Sequence, residues 1–178
     1  PRAVAGVKKT ADAIDAIVGG HIDQTMVDHV LTHRSYAYEN GGLPNNERLE
    51  FLGDSVLGLV VTEFLYTQFP DLPEGSLAKS RAGVVSAASL AEVAAELGLG
   101  EALRLGRGEH RTGGRTKTSL LADGLEAVIG AVHLDAGIVA SRRLVLALFA
   151  DRATAAAAGP GGHDHKTRLQ ELAARRWD

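Results

Sequence analysis

Apolar residues recur at helical spacing through most of the chain. Its β-branched residues are scattered within those helical patterns rather than alternating with polar ones, which predicts an all-α fold. A short amphipathic run, TADAIDAIV, spans residues 10–18 and is ended by Gly19-Gly20. Asp23 or Thr25 can cap the next helix, MVDHVLTH, and HRSYAYENGGLPNN then reads as a turn-rich connection. The longest pattern, NNERLEFLGDSVLGLVVTEFL, starts at a cap on Asn45 or Asn46 and stops at Phe69-Pro70, because proline cannot continue a helix. Pro73 opens another helix, and Ser86 or Ser89 starts LAEVAAELG, closed by Gly98. The glycine- and arginine-rich LGRGEHRTGGRTKT interrupts the pattern. Helical periodicity resumes in SLLADGLEAVIGAVHLDAG, residues 119–137, and IVASRRLVLALFADRATAAAA completes the domain.

The long helix is apolar almost all round, yet it carries Glu47, Glu50 and Asp54, which fall within about 60° of one another at helical spacing. Asp123 and Glu126, three residues apart, share a face of the later helix, with Leu121, Leu125, Val128 and Val132 on the opposite side. Gly58 lies within about 40° of Glu47 and Asp54, and Gly130 within about 40° of Asp123 and Glu126. Glycine there leaves room for another helix, an ion or a substrate. If the two helices pack face to face, Glu50, Asp54, Asp123 and Glu126 converge, and they cannot all stay ionised without cations. Oxygen-only ligands favour Mg²⁺ or Mn²⁺, an ion that polarises a phosphoryl oxygen and deprotonates bound water. That chemistry suits phosphodiester hydrolysis. The bland alternative is a set of solvated or arginine-paired acids, and spacing alone leaves it open.

Composition narrows the picture. The 178 residues suit one domain with an appendage. With 45% hydrophobic but only 4% aromatic residues, Leu, Val, Ile and Ala must fill the core. The absence of cysteine excludes disulfides and thiolate chemistry. A net charge of −3 argues against a uniformly basic nucleic-acid binder but leaves room for a locally basic surface. No uninterrupted apolar run has membrane-span length, and PRAVAGVKKT lacks the apolar core of a signal peptide. A soluble cytoplasmic protein without a membrane partner is expected.

The acidic stretch ERLEFLGDSVL resembles the signature of the ribonuclease III family of double-stranded-RNA endonucleases. LTHRS, FPDLPEG, LRLGRGEHRTGG and SLLADGLEAVIGAVHLD also resemble family segments, in family order and with compatible spacing. The resemblance implies an all-α endonuclease domain over residues 1–157. It would act as a homodimer that hydrolyses double-stranded RNA with Mg²⁺ (Mn²⁺ as substitute), leaving 5′-phosphate and 3′-hydroxyl ends with short 3′ overhangs. Processing of ribosomal RNA and structured transcripts would follow. It assigns metal binding to Glu50, Asp54, Asp123 and Glu126, with Asp54 and Glu126 catalytic. Glu47 and Glu74 are supporting acids near the scissile phosphate, Glu74 reaching across the dimer, and Glu109 is structural. Thr118 stands where family members often have an acid, which implies tuning rather than loss of activity. Residues 158–165 read as a flexible linker. Residues 164–178, DHKTRLQELAARRWD, resemble the start of a double-stranded-RNA-binding domain.

Arg107, Arg111, Arg115 and Lys117 form a group suited to RNA phosphates, against a reading as a solvated loop or as salt bridges to neighbouring acids. His33 and Arg34 read as packing residues for the loop before the long helix, and His163 and His165 as solvated linker residues. The rivals to a nuclease are a non-cleaving RNA-binding protein on the same scaffold, a structural helical dimer, and a narrow ribosomal-RNA maturase.

Overall fold

The structure, a computed structural model, describes residues 10–12, 14–17, 19, 20 and 23–159. Its named elements are helices: α1 Gln24–Val30, α2 Arg34–Glu39, α3 Glu47–Gln68, α4 Glu74–Val84, α5 Ala87–Glu96, α6 Leu99–Ala102, α7 Arg107–Arg111, a 3-10 turn Gly114–Thr116, and α8 Thr118–Ala158. Residues 10–12 and 14–17 are also helical, and Ile14 reaches the core. Among the described residues the strand-like pairing is one isolated bridge between Thr32 and Arg104. The all-α expectation holds. The lead-in before residue 10, nearly all of the 158–165 linker, and the 164–178 segment with His163, His165 and Trp177 lie outside the described residues.

The helix boundaries follow local chemistry. Asp23 caps α1 by accepting the Thr25 N–H at 2.8 Å, and Ser86 caps α5 by accepting the Ser89 N–H at 3.3 Å. At the start of α3 the work is divided. Asn45 Oδ1 accepts the Glu47 N–H at 3.2 Å, while buried Asn46 turns its amide inward to donate to the Val30 carbonyl at 3.1 Å. Asn46 thereby ties the first turn of the acidic helix to α1. α3 ends at Phe69, immediately before Pro70.

Two segments expected to be connections contain helix. RSYAYE is α2, because His33 supplies a cap that the pattern did not reveal: its ring accepts the Ser35 N–H at 3.2 Å. RGEHR is α7, and its first free N–H groups are met from another element, since Glu39 accepts the Arg107 N–H at 2.9 Å. The division of the last two helical runs at Gly137 is visible in the backbone. α8 is broken there, with φ +76° and ψ −178°, a conformation that glycine adopts readily.

α8 is the axis against which α1, α3, α4, α5, α6 and the 3-10 turn pack. Leu125, Ala127, Ile129, Ala131, Val132, Leu144, Val145 and Phe149 are all essentially inaccessible to solvent. Averaged over 18 residues, its mean hydropathy of 1.3 is enough, with its length, for a membrane span. In the fold that apolarity is consumed by α3, α4 and α5, as expected of a central core helix. α3 crosses the first arm of α8 with Leu49, Gly53, Val56, Leu57, Val60, Val61 and Leu65 inward.

Candidate active site

The crossing of α3 and α8 is set by two glycines. A Cβ on Gly53 would lie 1.7 Å from the Glu126 carbonyl oxygen, and one on Gly130 would lie 2.2 Å from the Leu49 carbonyl oxygen. The backbones therefore touch directly. Gly130 makes the room expected of it, and the room is for a helix. Gly58 does not take part, since nothing lies within 4 Å of where its Cβ would be; the partner glycine is Gly53.

Glu50 lies one turn before Gly53, and Glu126 about one turn before Gly130. Close backbone approach therefore brings their side chains together. Glu50, Asp123 and Glu126 each present a carboxylate oxygen, and the three oxygens lie within 4.8 Å of one another. All three residues are half-buried. Asp54 is exposed and outside this trio, but close enough to act on Glu126 through its charge.

Electrostatics report the crowding. Burial, followed by the charges of Asp54, Asp123 and Glu50, pushes Glu126 up to about 7. Burial is also the main cause raising Glu50, reinforced by Asp123 and Glu47 and opposed by Arg34. Burial raises Asp123 as well, against the pull of His33 and Arg34. Three half-buried oxygen donors at this separation suit a hard divalent cation, which would offset both the burial and the mutual repulsion that raise Glu126.

The other acids divide. Glu47 stands at the rim, where Arg34 Nη1 donates to Oε1 at 3.3 Å and Asn45 Nδ2 to Oε2 at 2.9 Å. Glu74 is not at the cluster. It lines a hollow with Thr62, Leu65 and Tyr66, about 18 Å farther along α3 at 1.5 Å per residue. Within one chain the structure keeps it apart from Glu50. Glu109 pairs with Lys117, and that hydrogen bond holds its carboxyl below the usual range.

The basic group divides too. Arg107 and Arg111 are exposed. Arg115 Nη1 donates to the carbonyls of Gly100, Glu101 and Leu103 at 2.6, 3.0 and 2.9 Å, tying the 3-10 turn to α6. Lys117 is held by Glu109 and Thr112. These two side chains brace the loop, Lys117 through the salt bridge that the alternative reading allowed and Arg115 through backbone carbonyls that it did not.

Sequence patterning did not single out Gly53 or the Arg34 and Asn45 clamp on Glu47. The signal for the clamp was present in THRS and NNER, but a contact between residues 13 apart is invisible to helical periodicity.

The family model described as Ribonuclease-III-like matches residues 23–152. The chain belongs to the ribonuclease-III-like family. It is 63% identical over 158 residues to Ribonuclease 3 of Thermobifida fusca, covering 88% of this chain and 65% of that protein. It is 56% identical over 174 residues to Ribonuclease 3 of Streptomyces coelicolor, covering 94% and 63%. The chain thus spans a little under two thirds of the length of these relatives. Among solved structures, it resembles the nuclease domain of ribonuclease III from Campylobacter jejuni, in which a region involved in dimer formation is flexible. That match has a TM-score of 0.71 and 40% identity, covering 78% of this chain and 95% of that one. Dicer from Pichia stipitis matches with a TM-score of 0.55 and 30% identity, covering 75% and 57%.

Proposed function

We propose that this chain is the nuclease part of a Mg²⁺-dependent endoribonuclease that cuts double-stranded RNA as a homodimer. The observation that carries the reading is the convergence of Glu50, Asp123 and Glu126 at the Gly53–Gly130 crossing. Family membership and the Ribonuclease 3 relatives support the substrate class.

Glu50, Asp123 and Glu126 would hold Mg²⁺, or Mn²⁺ in its place. Bound there, the ion would supply Lewis-acid stabilisation of a phosphoryl oxygen and a water acidified toward neutrality. Glu126 would have to give up its carboxyl proton to serve as a ligand, which would link metal uptake to pH. Asp54, exposed one turn beyond Glu50, is open to the incoming strand and acts through solvent or on the substrate side. Glu47, clamped by Arg34 and Asn45, orients the rim. The products would be 5′-phosphate and 3′-hydroxyl ends with staggered cuts, and the cellular role the maturation of ribosomal and other structured RNA in the cytoplasm. Residues 164–178 would begin an RNA-binding domain joined through 158–165. Arg107 and Arg111 remain candidates for phosphate contact; Arg115 and Lys117 support them from within the loop.

The dimer reading rests on α3. Phe51, Leu59 and Tyr66 are exposed on one face, within about 80° at helical spacing. Large apolar side chains along a surface stripe favour burial against a partner. A second copy would also give Glu74 a route to a neighbouring cluster.

The test is digestion of an RNA duplex of about three helical turns, with end mapping. Metal-dependent cuts staggered across the two strands support the proposal. Binding without cleavage would favour the non-cleaving RNA-binding rival.

A further inference from the structure

We infer that the groove between α2 and α7, beside the acid cluster, receives the sugar–phosphate backbone of the RNA strand next to the cut, with Arg34 and Tyr38 as its contact residues. This deepens the nuclease reading and rests on it for the identity of the polymer. It also departs from the sequence reading of Arg34 as a loop-packing residue.

The groove is open and has a volume of about 660 Å³, within the range of ordinary ligand clefts. Arg34 and Tyr38, four residues apart on α2, share one face of that helix and line one wall. The side chain of Arg34 is 70% exposed, and Tyr38 is 87% exposed.

Glycine opens the rest. Gly41 and Gly42 turn the chain after α2 with φ of +81° and +77°, and nothing lies within 4 Å of where their Cβ atoms would be. Gly108 on the facing wall is equally open. Bare backbone at Gly42 and Gly108 allows a polymer to approach closely.

Arg34 is the cationic side chain on the wall of the groove. Of the two carboxylates in the lining, Glu109 is neutralised by Lys117 and Glu39 is drawn to the first turn of α7 by the Arg107 N–H. The guanidinium of Arg34 offers five donors, and one bond to Glu47 leaves others directed to solvent. Exposed Arg107 follows on α7. Arg34 joins the wall of the groove to the acidic face of α3 through its bond to Glu47, one turn before Glu50. A strand whose scissile phosphate sits at that cluster must pass this rim, and arginine and tyrosine are suited to backbone oxygens and ribose.

The experiment uses this chain with an RNA duplex at low salt under single-turnover conditions. Arg34→Gln and Tyr38→Ala each raise the half-saturating concentration about tenfold or more, with a much smaller change in the maximal rate. Arg34→Gln lowers the slope of log affinity against log salt by about one, and does so also in a Glu47→Gln background. Mn²⁺ binding to the RNA-free protein is unchanged by Tyr38→Ala. Tyr38→p-benzoylphenylalanine crosslinks on irradiation to nucleotides adjacent to the cut.

Loss of maximal rate alone for Arg34→Gln, vanishing in the Glu47→Gln background, would make Arg34 a brace for Glu47 and overturn the proposal. So would a crosslink-silent groove on a protein that still cuts, or capture of a peptide there with RNA affinity unaffected in both variants. Failure of the wild-type chain to cut would instead remove the nuclease reading, while the crosslink would still report whether RNA occupies the groove.

Discussion

Gly53 and Gly130 face one another where α3 crosses α8, and neither position has room for a methyl group: the added carbon would lie 1.7 Å and 2.2 Å from a carbonyl oxygen of the opposing helix. The acid cluster depends on this contact, because Glu50 and Glu126 each sit about a turn from it. Gly53→Ala must push the helices apart. It is expected to cost about 1–3 kcal/mol or more in stability and to weaken Mn²⁺ binding. Gly83→Ala, at an open position on α4, is expected to stabilise by roughly 0.5–1 kcal/mol. Chemical denaturation of both variants, with Mn²⁺ titration of the folded protein, checks the pair. Unchanged metal affinity in a folded Gly53→Ala protein would separate the crossing from the site.

The raised Glu126 carboxyl predicts a pH dependence with a definite sign. Its pKa is pushed up to about 7 in the folded chain from an ordinary 4.5. The folded state therefore binds more protons between these values, and the metal-free protein loses stability as pH rises through that window. Mg²⁺ binds better as pH rises, because the site must shed the proton. Melting in EDTA and in Mg²⁺ at pH 5.5 and 8 is expected to show the metal's stabilising effect growing with pH. Glu126→Gln removes most of that growth; an unchanged pH profile in the variant would assign the proton elsewhere.

Asp54 stands outside the trio of converging oxygens, whereas Asp123 stands within it. Asp123→Asn is expected to weaken Mn²⁺ binding by roughly a hundredfold or more, and Asp54→Asn by roughly tenfold, although both lose cleavage. Isothermal titration on the RNA-free proteins gives the comparison. Equal losses would make Asp54 a direct ligand.

Phe51 is 78% exposed on the signature helix, while Val56 and Leu57 on the same helix are buried. Phe51→Asp is expected to leave helicity intact and to yield monomers by sedimentation at micromolar concentration. A dimer that survives would locate the interface away from this face of α3.

Much of the fold was legible because helical periodicity, prolines and caps are local signals. The stop at Phe69-Pro70, the caps at Asp23 and Ser86, and the inward set Leu121, Leu125, Val128 and Val132 were all readable that way. α2 and α7 were not, since each owes an end to a side chain with an unexpected role: His33 accepting a backbone N–H, and Glu39 capping from another helix. At the site, helical spacing identified which carboxylates share a face. It did not reveal that Gly53 makes the crossing, that Asp54 stays outside the trio, or that Arg115 turns inward to three carbonyls. Those are long-range contacts, and their partners are fixed only by packing.

The central claim is that the carboxylates at this crossing hold a divalent ion that cuts double-stranded RNA. Its most direct test places the wild-type chain and Glu126→Gln side by side on one RNA duplex, with Mg²⁺ and with EDTA. The expected result is staggered cutting by the wild type in Mg²⁺ alone, with Glu126→Gln folded, dimeric and slower by roughly a hundredfold or more. Cleavage by the wild type in EDTA, or undiminished cleavage by Glu126→Gln in Mg²⁺, would contradict the account.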